Sequence, residues 1–219
     1  MIEIKKGKEP YELLAYRKKS GANYDDMDCK PIVLESLMRE QGYLCAYCMR
    51  KIPEERELPV GVKPATIEHW EAQSKTGEDK RLDYSNMFAV CAGNRGCGDK
   101  KNMTCDAKRG DTPMTVDPRK PEIINQIAYT NKGVIFSDNP DIDHDLNDTL
   151  GLNSEAVSLP QSRKATLDEL LKMIHATHPT GDIRPYCEKL LTAILQQERK
   201  TPYVGIQIHW LKEHIRKCR

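Results

Sequence analysis

Residues 90–111, "VCAGNRGCGDKKNMTCDAKRGD", contain three cysteines, Cys91, Cys97 and Cys105. An earlier stretch, "LCAYCMRKI" at residues 44–52, contains two more in a Cys-x-x-Cys arrangement. Two thiolates on one tight turn can both reach a zinc ion, at Zn–S distances of about 2.3 Å, and they leave two tetrahedral corners to a distant segment. The two stretches therefore predict a structural Zn²⁺ site with four cysteine ligands, and one of the three downstream thiols is surplus.

The composition favours metal ligation over disulfide bonds. The chain has 219 residues and eight cysteines, and its first residues lack the apolar segment of a secretory signal. We therefore expect reduced thiols and a cytoplasmic location. No apolar run approaches the ~20 residues that a membrane span needs. The 34 Lys and Arg residues nearly balance the 33 Asp and Glu residues, so the overall charge does not indicate a nucleic-acid-binding protein.

The pattern of apolar residues predicts an α+β chain in which helices predominate at the two ends. We expect helices at 9–20, 29–43, 166–175, 183–199 and 201–217, strands at 65–70 and 87–91, a β-hairpin at 122–138 and a loop at 138–148. The helix at 166–175 is predicted from a capping-box pattern that begins at Thr166.

These elements suggest three parts of the chain. An N-terminal helical arm covers residues 1–42, a core with the zinc site covers 43–112, and a hairpin followed by a mostly helical region covers 113–219. We expect the last part to bind a partner protein, because its final helices end in a basic surface.

Three polar residues between the two cysteine-bearing stretches are candidates for a catalytic role. Glu68 and His69 are adjacent in "TIEHW", and Asn86 precedes Cys91 in "DYSNMFAVC". Neighbouring residues of a strand point to opposite faces, so Glu68 and His69 can serve one cleft only at an edge or at a bulged strand end.

This order of residues resembles the HNH (ββα-metal) nucleases that carry a structural zinc. The resemblance implies a core of two short strands and a helix around one catalytic divalent ion, Mg²⁺ or Mn²⁺. It further implies that His69 is the general base, that Glu68 is a metal ligand and that Asn86 orients the histidine-bearing loop. Glu68 is one methylene longer than the aspartate that is commoner in this family.

The same resemblance bears on the surplus cysteine. In the family, the residue directly after the last zinc cysteine is the other ligand of the catalytic ion, and a lysine follows soon after. Cys105 is followed by Asp106, whereas Cys97 is followed by Gly98, which has no side chain. The resemblance therefore implies Asp106 as that ligand and, for zinc, Cys45, Cys48, Cys91 and Cys105. Cys97 stays open as the fourth zinc ligand, because the gap between Cys91 and Cys105 is longer than a Cys-x-x-Cys spacing.

Other stretches extend the resemblance over nearly the whole chain. Together, "PYELLAYRKKSGANYDD", "LMREQGYLCAYCMRKI" and "LNDTLGLN" resemble the HNH family of retrons and of the Septu anti-phage system, whose nuclease subunit is called PtuB. The resemblance implies an effector nuclease that works with an ABC/SMC-like ATPase subunit, PtuA.

A nuclease must also contact its substrate. Lys100, Lys101, Lys108 and Arg109 follow the zinc cysteines and suit contacts to phosphate. We expect DNA as the substrate, and an HNH ribonuclease is an alternative because the chemistry does not itself select the sugar. A second alternative is a catalytically silent, zinc-stabilised adaptor that binds nucleic acid or protein.

Overall fold

The computed structural model describes residues 1–54, 57–58, 65–177 and 180–217. Within these residues the α-helices are α1 (Tyr11–Tyr16), α2 (Lys30–Glu40), α3 (Glu78–Arg81), α4 (Cys105–Arg109), α5 (Pro121–Ile124), α6 (Pro140–His144), α7 (Leu159–Thr177), α8 (Arg184–Gln196) and α9 (Val204–Lys217). The strands are β1 (Thr66–His69), β2 (Met87–Val90), β3 (Ile127–Tyr129) and β4 (Ile135–Ser137).

Strands β1 and β2 form an antiparallel pair that carries the candidate catalytic residues. Glu68 lies opposite Phe88 and His69 opposite Met87. The bond from the Trp70 N–H to the Asn86 carbonyl, at 2.9 Å, extends this ladder beyond the strands. Both predicted strands are confirmed, as are the mixed α+β architecture and the helical C-terminal half. The order β1, β2, α4 is compatible with a ββα core.

The Gln41 side chain completes the hydrogen bonding of β2 on its other edge. Its Nε2 donates to the Ala89 carbonyl and its Oε1 accepts from the Ala89 N–H, both at 2.8 Å. The same Nε2 donates to the Leu44 carbonyl at 2.8 Å. A buried amide thus replaces a third strand, and it ties the end of α2 to the hairpin and to the start of the Cys-x-x-Cys turn.

The N-terminal segment packs into the same core. Ile4 is buried, and its N–H donates to the Pro118 carbonyl at 2.8 Å. Lys6 forms an ion pair with Glu40 of α2 and donates to the Met87 carbonyl at 2.9 Å. These contacts place the segment before α1 against the β1–β2 hairpin.

Two expectations about the C-terminal half are wrong. Residues 138–148 are not a loop, because α6 begins after Asn139, whose Oδ1 accepts from the Asp141 N–H at 3.0 Å, and continues into a π-helix at Asp145–Thr149. Buried Ile142 and Leu146 hold this segment against the core. Thr166 does not begin a helix either, since α7 begins at Leu159.

The predicted β-hairpin at 122–138 is confirmed as β3 and β4, although its first residues form α5. Helix α9 packs on this hairpin and on the Cys-x-x-Cys turn, where the Tyr203 N–H donates to the Met49 carbonyl at 2.9 Å. Within the described ranges, the helices are too short or too polar to cross a lipid bilayer.

Candidate metal centre and active site

Four buried cysteine thiols meet at one point between the β1–β2 hairpin, α4 and the Cys-x-x-Cys turn. The Sγ atoms of Cys45, Cys48, Cys91 and Cys105 all lie within 4.8 Å of one another. The separation is 3.8 Å for Cys45 and Cys105, 3.7 Å for Cys48 and Cys91, and 3.9 Å for Cys91 and Cys105. Zn–S bonds of about 2.3 Å give a tetrahedral edge of about 3.8 Å, so the thiols fit a zinc ion.

The structure brings Cys105 rather than Cys97 to this cluster. One backbone hydrogen bond closes the intervening loop at its base, where the Thr104 N–H donates to the Gly93 carbonyl at 2.8 Å. The thirteen residues between Cys91 and Cys105 therefore form a loop that extends away from the cluster. Cys97 lies in that loop with an exposed side chain, and its thiol donates to the Asp99 carbonyl at 3.1 Å.

The backbone around the cluster adopts conformations that its residues do not favour. Met49, directly after the Cys-x-x-Cys turn, has φ = 60°, and Cys105 has φ = 55°. Non-glycine residues in the left-handed region cost about 1 kcal/mol or more, and such strain persists where other interactions fix the backbone. A metal ion bound to the thiols would supply that interaction, because it requires the backbone to deliver each sulfur to a set position.

The four thiols also influence one another's ionisation. Hydrogen bonds from Cys105, Cys45 and Cys48 lower the pKa of Cys91, whereas the same network raises the pKa of Cys105. Metal ligation requires thiolates, so we expect zinc binding to release protons from this buried set.

His69 lies at the end of β1 with its imidazole fixed by one hydrogen bond. Its Nε2 is 2.8 Å from the Arg81 carbonyl. A carbonyl can only accept, so we assign the proton to Nε2 and a lone pair to Nδ1. Nδ1 is buried and makes no hydrogen bond to the residues that the structure describes. Burial lowers the pKa of His69, partly offset by the bond to Arg81 and the charge of Asp106, so the imidazole is neutral near pH 7.

Asn86 connects the segment after His69 to α3. Its Oδ1 accepts from the Glu71 N–H at 2.8 Å, and its Nδ2 donates to the Glu71 carbonyl at 3.1 Å and to the Lys80 carbonyl at 3.2 Å. Lys80 neighbours Arg81, whose carbonyl holds the imidazole. The buried amide thus fixes both backbone segments that set the orientation of His69.

Glu68 and Asp106 bring two carboxylates to one place. Glu68 is buried on β1, and Asp106 lies in the first turn of α4. Burial, then the charge of Asp106 and a hydrogen bond to it, raise the pKa of Glu68 to about 8, although Arg109 acts in the opposite direction. Two carboxylates that share a site can hold a hard divalent cation such as Mg²⁺ or Mn²⁺, whose remaining ligands are commonly water and phosphate oxygens.

Arg109 contradicts the expectation that it contacts phosphate. Its side chain is only 2% exposed, and its guanidinium donates to Glu68 Oε1, to the His69 carbonyl at 3.1 Å and to the Thr112 carbonyl at 3.0 Å. Arg109 therefore joins α4 to the end of β1, a structural role that its place after the zinc cysteines does not distinguish from a surface role.

A different arginine, which the sequence did not single out, reaches the carboxylates. Arg95 Nη2 lies 2.6 Å from Asp106 Oδ2, and its side chain is 59% exposed. Arg95 belongs to the same loop as Cys97, so its proximity to Asp106 follows from the closure at Gly93 rather than from any local motif.

The three predicted lysines lie together around one cleft. Lys100, Lys101 and Lys108 line it, and the other residues that line it are Thr112, His144, Asp148 and Thr149. The stem of Lys108 packs over Gly151, so the C-terminal half forms one wall of the cleft. A groove with three ammonium groups beside α4 can bind a phosphate backbone.

The cysteine cluster can hold a structural metal ion, Glu68 and Asp106 can hold a divalent cation, and His69 can accept a proton from water.

No protein-family model matches the chain. The chain is 26% identical over 194 residues, covering 81% of its own length and 87% of the relative's, to "Retron Vc95 putative HNH endonuclease" of Vibrio cholerae serotype O1 biovar El Tor. It is 32% identical over 80 residues, 33% of its length and 29% of the relative's, to "Retron Ec83 putative HNH endonuclease" of Escherichia coli. The two likenesses support an HNH endonuclease family and a nuclease function.

Proposed function

We propose that this protein is a metal-dependent HNH endonuclease that hydrolyses phosphodiester bonds of nucleic acid, with DNA as its substrate. The observation that carries the proposal is the geometry of His69. A neutral imidazole, tethered through Nε2, presents a bare Nδ1 while Asp106 acts electrostatically on both Glu68 and His69. That is the arrangement a general base needs next to a cation site.

The residues of the site take distinct parts. His69 Nδ1 accepts a proton from the attacking water, and the Arg81 carbonyl stabilises the imidazolium that results, because it accepts from Nε2–H. Asn86 keeps the histidine in place. Glu68 and Asp106 would hold the Mg²⁺ or Mn²⁺ ion, which when bound supplies Lewis-acid stabilisation of charge on the phosphate and the leaving oxygen. The lysine cleft orients the nucleic-acid backbone.

The cysteine cluster would hold Zn²⁺ with a structural purpose. The four thiols would fill all four tetrahedral positions of a bound zinc ion with protein ligands, as in structural zinc sites. Cys91 follows β2 and Cys105 begins α4, directly before Asp106. The ion would therefore fix the carboxylate of α4 relative to the hairpin that carries Glu68 and His69.

The direct test is cleavage of a supercoiled plasmid by zinc-loaded protein with Mn²⁺ or Mg²⁺. His69→Ala should reduce the rate at least about 100-fold while leaving the zinc content unchanged. His175→Ala provides the matched control, because His175 is an exposed histidine on α7. Undiminished cleavage by His69→Ala would reject His69 as the base.

Two alternatives give different results in the same experiment. A ribonuclease would cleave a structured RNA and leave the plasmid intact. A catalytically silent adaptor would bind nucleic acid and cleave neither substrate with either ion. The buried, oriented His69 favours the enzyme over the adaptor, since an adaptor has no use for an unpartnered imidazole nitrogen that costs free energy to bury.

We further propose that the nuclease is the effector of a PtuB-type anti-phage defence system with a PtuA-like ABC/SMC ATPase partner. The sequence stretches that resemble the retron and Septu family support this proposal, and both relatives are named as retron proteins. Deletion of the last two helices is not a clean test of the partner surface, because α9 contributes Val204, Ile206 and Leu211 to the core. Leu195 on α8 is 53% exposed, so Leu195→Asp should abolish co-purification with the ATPase.

Ile32→Asp is the matched control, because Ile32 is an exposed apolar residue on α2, in the N-terminal arm. Loss of the ATPase with Ile32→Asp, and not with Leu195→Asp, would move the partner surface to the arm.

A further inference from the structure

Tyr24 lies against the candidate general base although it is far away in the sequence. It belongs to residues 17–29, the segment that joins α1 to α2. Its ring meets the His69 imidazole edge to face, with centroids 4.5 Å apart and planes at 87°. Such T-shaped pairs have a preferred geometry, so the contact restricts the rotation of the imidazole as well as its position.

Three hydrogen bonds through Glu78 and Arg81 of α3 also link the same two residues. The Tyr24 N–H donates to Glu78 Oε2 at 3.1 Å, and Glu78 Oε1 accepts from Arg81 Nη1 at 2.6 Å. The Arg81 carbonyl is the group that accepts from His69 Nε2. Helix α3, which holds the imidazole through its backbone, is therefore fixed to the segment that carries Tyr24.

The Tyr24 ring is itself held in place. Lys30 Nζ lies 4.7 Å from its centroid and donates to the Asp25 carbonyl at 2.7 Å. Burial, followed by the charges of Asp25, Glu68 and Asp106, raises the pKa of Tyr24 to about 12. The phenol therefore lies within electrostatic reach of both candidate metal-binding carboxylates.

We propose that Tyr24 is a positioning residue of the active site: its ring, fixed by the segment that joins α1 to α2, holds the His69 imidazole in the orientation in which Nε2 bonds to Arg81 and Nδ1 faces the reacting water. The inference rests on the proposed nuclease function for its kinetic part and on geometry alone for its structural part. The proposal makes the N-terminal arm part of the active site, because the arm contributes the aromatic ring that packs on His69, a contact that neither the β1–β2 hairpin nor α4 provides.

The kinetic test compares variants that keep or remove the aromatic ring. Tyr24→Phe keeps the ring and should retain kcat within about threefold. Tyr24→Leu and Tyr24→Ala should lower kcat about 10- to 100-fold, with KM within about twofold, because the imidazole is misplaced while substrate binding is unchanged. Tyr11→Ala is the control, since Tyr11 is a tyrosine of the same arm that is 77% exposed.

A second readout does not depend on cleavage. Imidazole ¹⁵N chemical shifts of His69 should show one protonated and one bare nitrogen in the wild type and in Tyr24→Phe, and values averaged between tautomers in Tyr24→Leu. Wild-type shifts and kcat in Tyr24→Leu would overturn the proposal. If Tyr24→Ala loses its zinc or its fold, Tyr24→Leu, which fills more of the space, decides the question.

The two readouts separate the two hypotheses. A wild-type protein that cleaves no nucleic acid contradicts the proposed function, yet its imidazole shifts still support or overturn the positioning by Tyr24. Normal kcat in Tyr24→Leu, in a protein that His69→Ala inactivates, overturns the positioning and leaves the nuclease function standing.

Discussion

Glu68 is the residue whose ionisation should control the affinity of the catalytic cation. Its pKa is raised to about 8 by burial and by Asp106, so the carboxyl is largely protonated near neutral pH. A divalent ion requires the carboxylate, hence binding must expel this proton. Arg95 bonds to the second carboxylate, Asp106, and must yield to the same ion. The proton on Glu68 and the guanidinium of Arg95 therefore both compete with the divalent cation for the two carboxylates.

We accordingly predict that Mn²⁺ affinity rises with pH. Because the folded pKa is raised, the proton is bound below about pH 8 and lost above it, so affinity should rise by up to about tenfold per pH unit below 8 and level off above. Calorimetric titration of zinc-loaded protein at several pH values, in buffers of different ionisation enthalpy, measures both the affinity and the proton released. Glu68→Gln should abolish the proton release, and a proton release unchanged by this substitution would assign it to another group.

A second prediction at this scale separates the ligand cysteines from the surplus one. Cys105→Ser should lose zinc and unfold the core, because Cys105 is fully buried among the three other thiols. Cys97→Ser is its matched control and should keep about one zinc ion per chain with an unchanged melting temperature, since Cys97 is exposed. Zinc content by mass spectrometry and thermal melts decide the matter. Zinc loss in Cys97→Ser with retention in Cys105→Ser would reverse the assignment.

At the scale of elements, the closure of the 92–104 loop decides which thiol and which carboxylate reach the site. Gly93 has φ = 59°, and a Cβ there would lie 2.2 Å from the Thr104 carbonyl oxygen. No other residue type can therefore occupy this position without moving the backbone that delivers Cys105.

Gly93→Ala should thus destabilise the fold by about 2–4 kcal/mol and weaken zinc binding, because both the conformation and the space exclude a methyl group. Gly96→Ala, in the same loop, should be within about 0.5 kcal/mol of the wild type, since a Cβ at Gly96 meets nothing within 4 Å. Denaturant titration of both variants measures the difference. Equal stabilities would mean that the loop does not need its glycine-based closure.

Contacts between distant segments, such as the one that closes the 92–104 loop, also limit which parts of the fold and of the candidate site the sequence could predict. The strands around Glu68 and Asn86 were predictable from local patterns, since short β-branched and aromatic runs between turns have few other structures. The role of Arg109 was not, because a basic residue near phosphate-binding motifs has the same local signature whether it is exposed or buried. Tyr24 lies in one of the stretches that resemble the retron family, but neither Tyr24 nor Arg95 has a local signal of its contact, because only tertiary structure brings them to His69 and Asp106.

Across the whole molecule, the C-terminal half braces the helix that carries Asp106. The Leu150 carbonyl accepts from the Cys105 N–H at 2.8 Å, at the start of α4. Two residues later, the Leu152 carbonyl accepts from the buried Arg163 of α7 at 2.9 Å. Arg163 also donates to the Gly133 carbonyl at the tip of the β3–β4 hairpin and to Asn153 Oδ1. One buried guanidinium thus joins α7, the hairpin and the segment that supports α4.

Removing that guanidinium should act on the site from a distance. Arg163→Met keeps the apolar stem but leaves the buried Gly133 and Leu152 carbonyls without their donor, while Asn153 Oδ1 still accepts from the Ile135 N–H. We expect a loss of about 3 kcal/mol or more of folding free energy. Arg184→Met, on the surface of α8, removes only an ion pair with Glu188 and should cost less than about 1 kcal/mol. At a temperature where both variants are folded, Arg163→Met should also bind Mn²⁺ more weakly than Arg184→Met, because Asp106 loses the support of the 150–153 segment. Equal Mn²⁺ affinity with unequal stability would mean that this segment stabilises the fold without positioning the carboxylate.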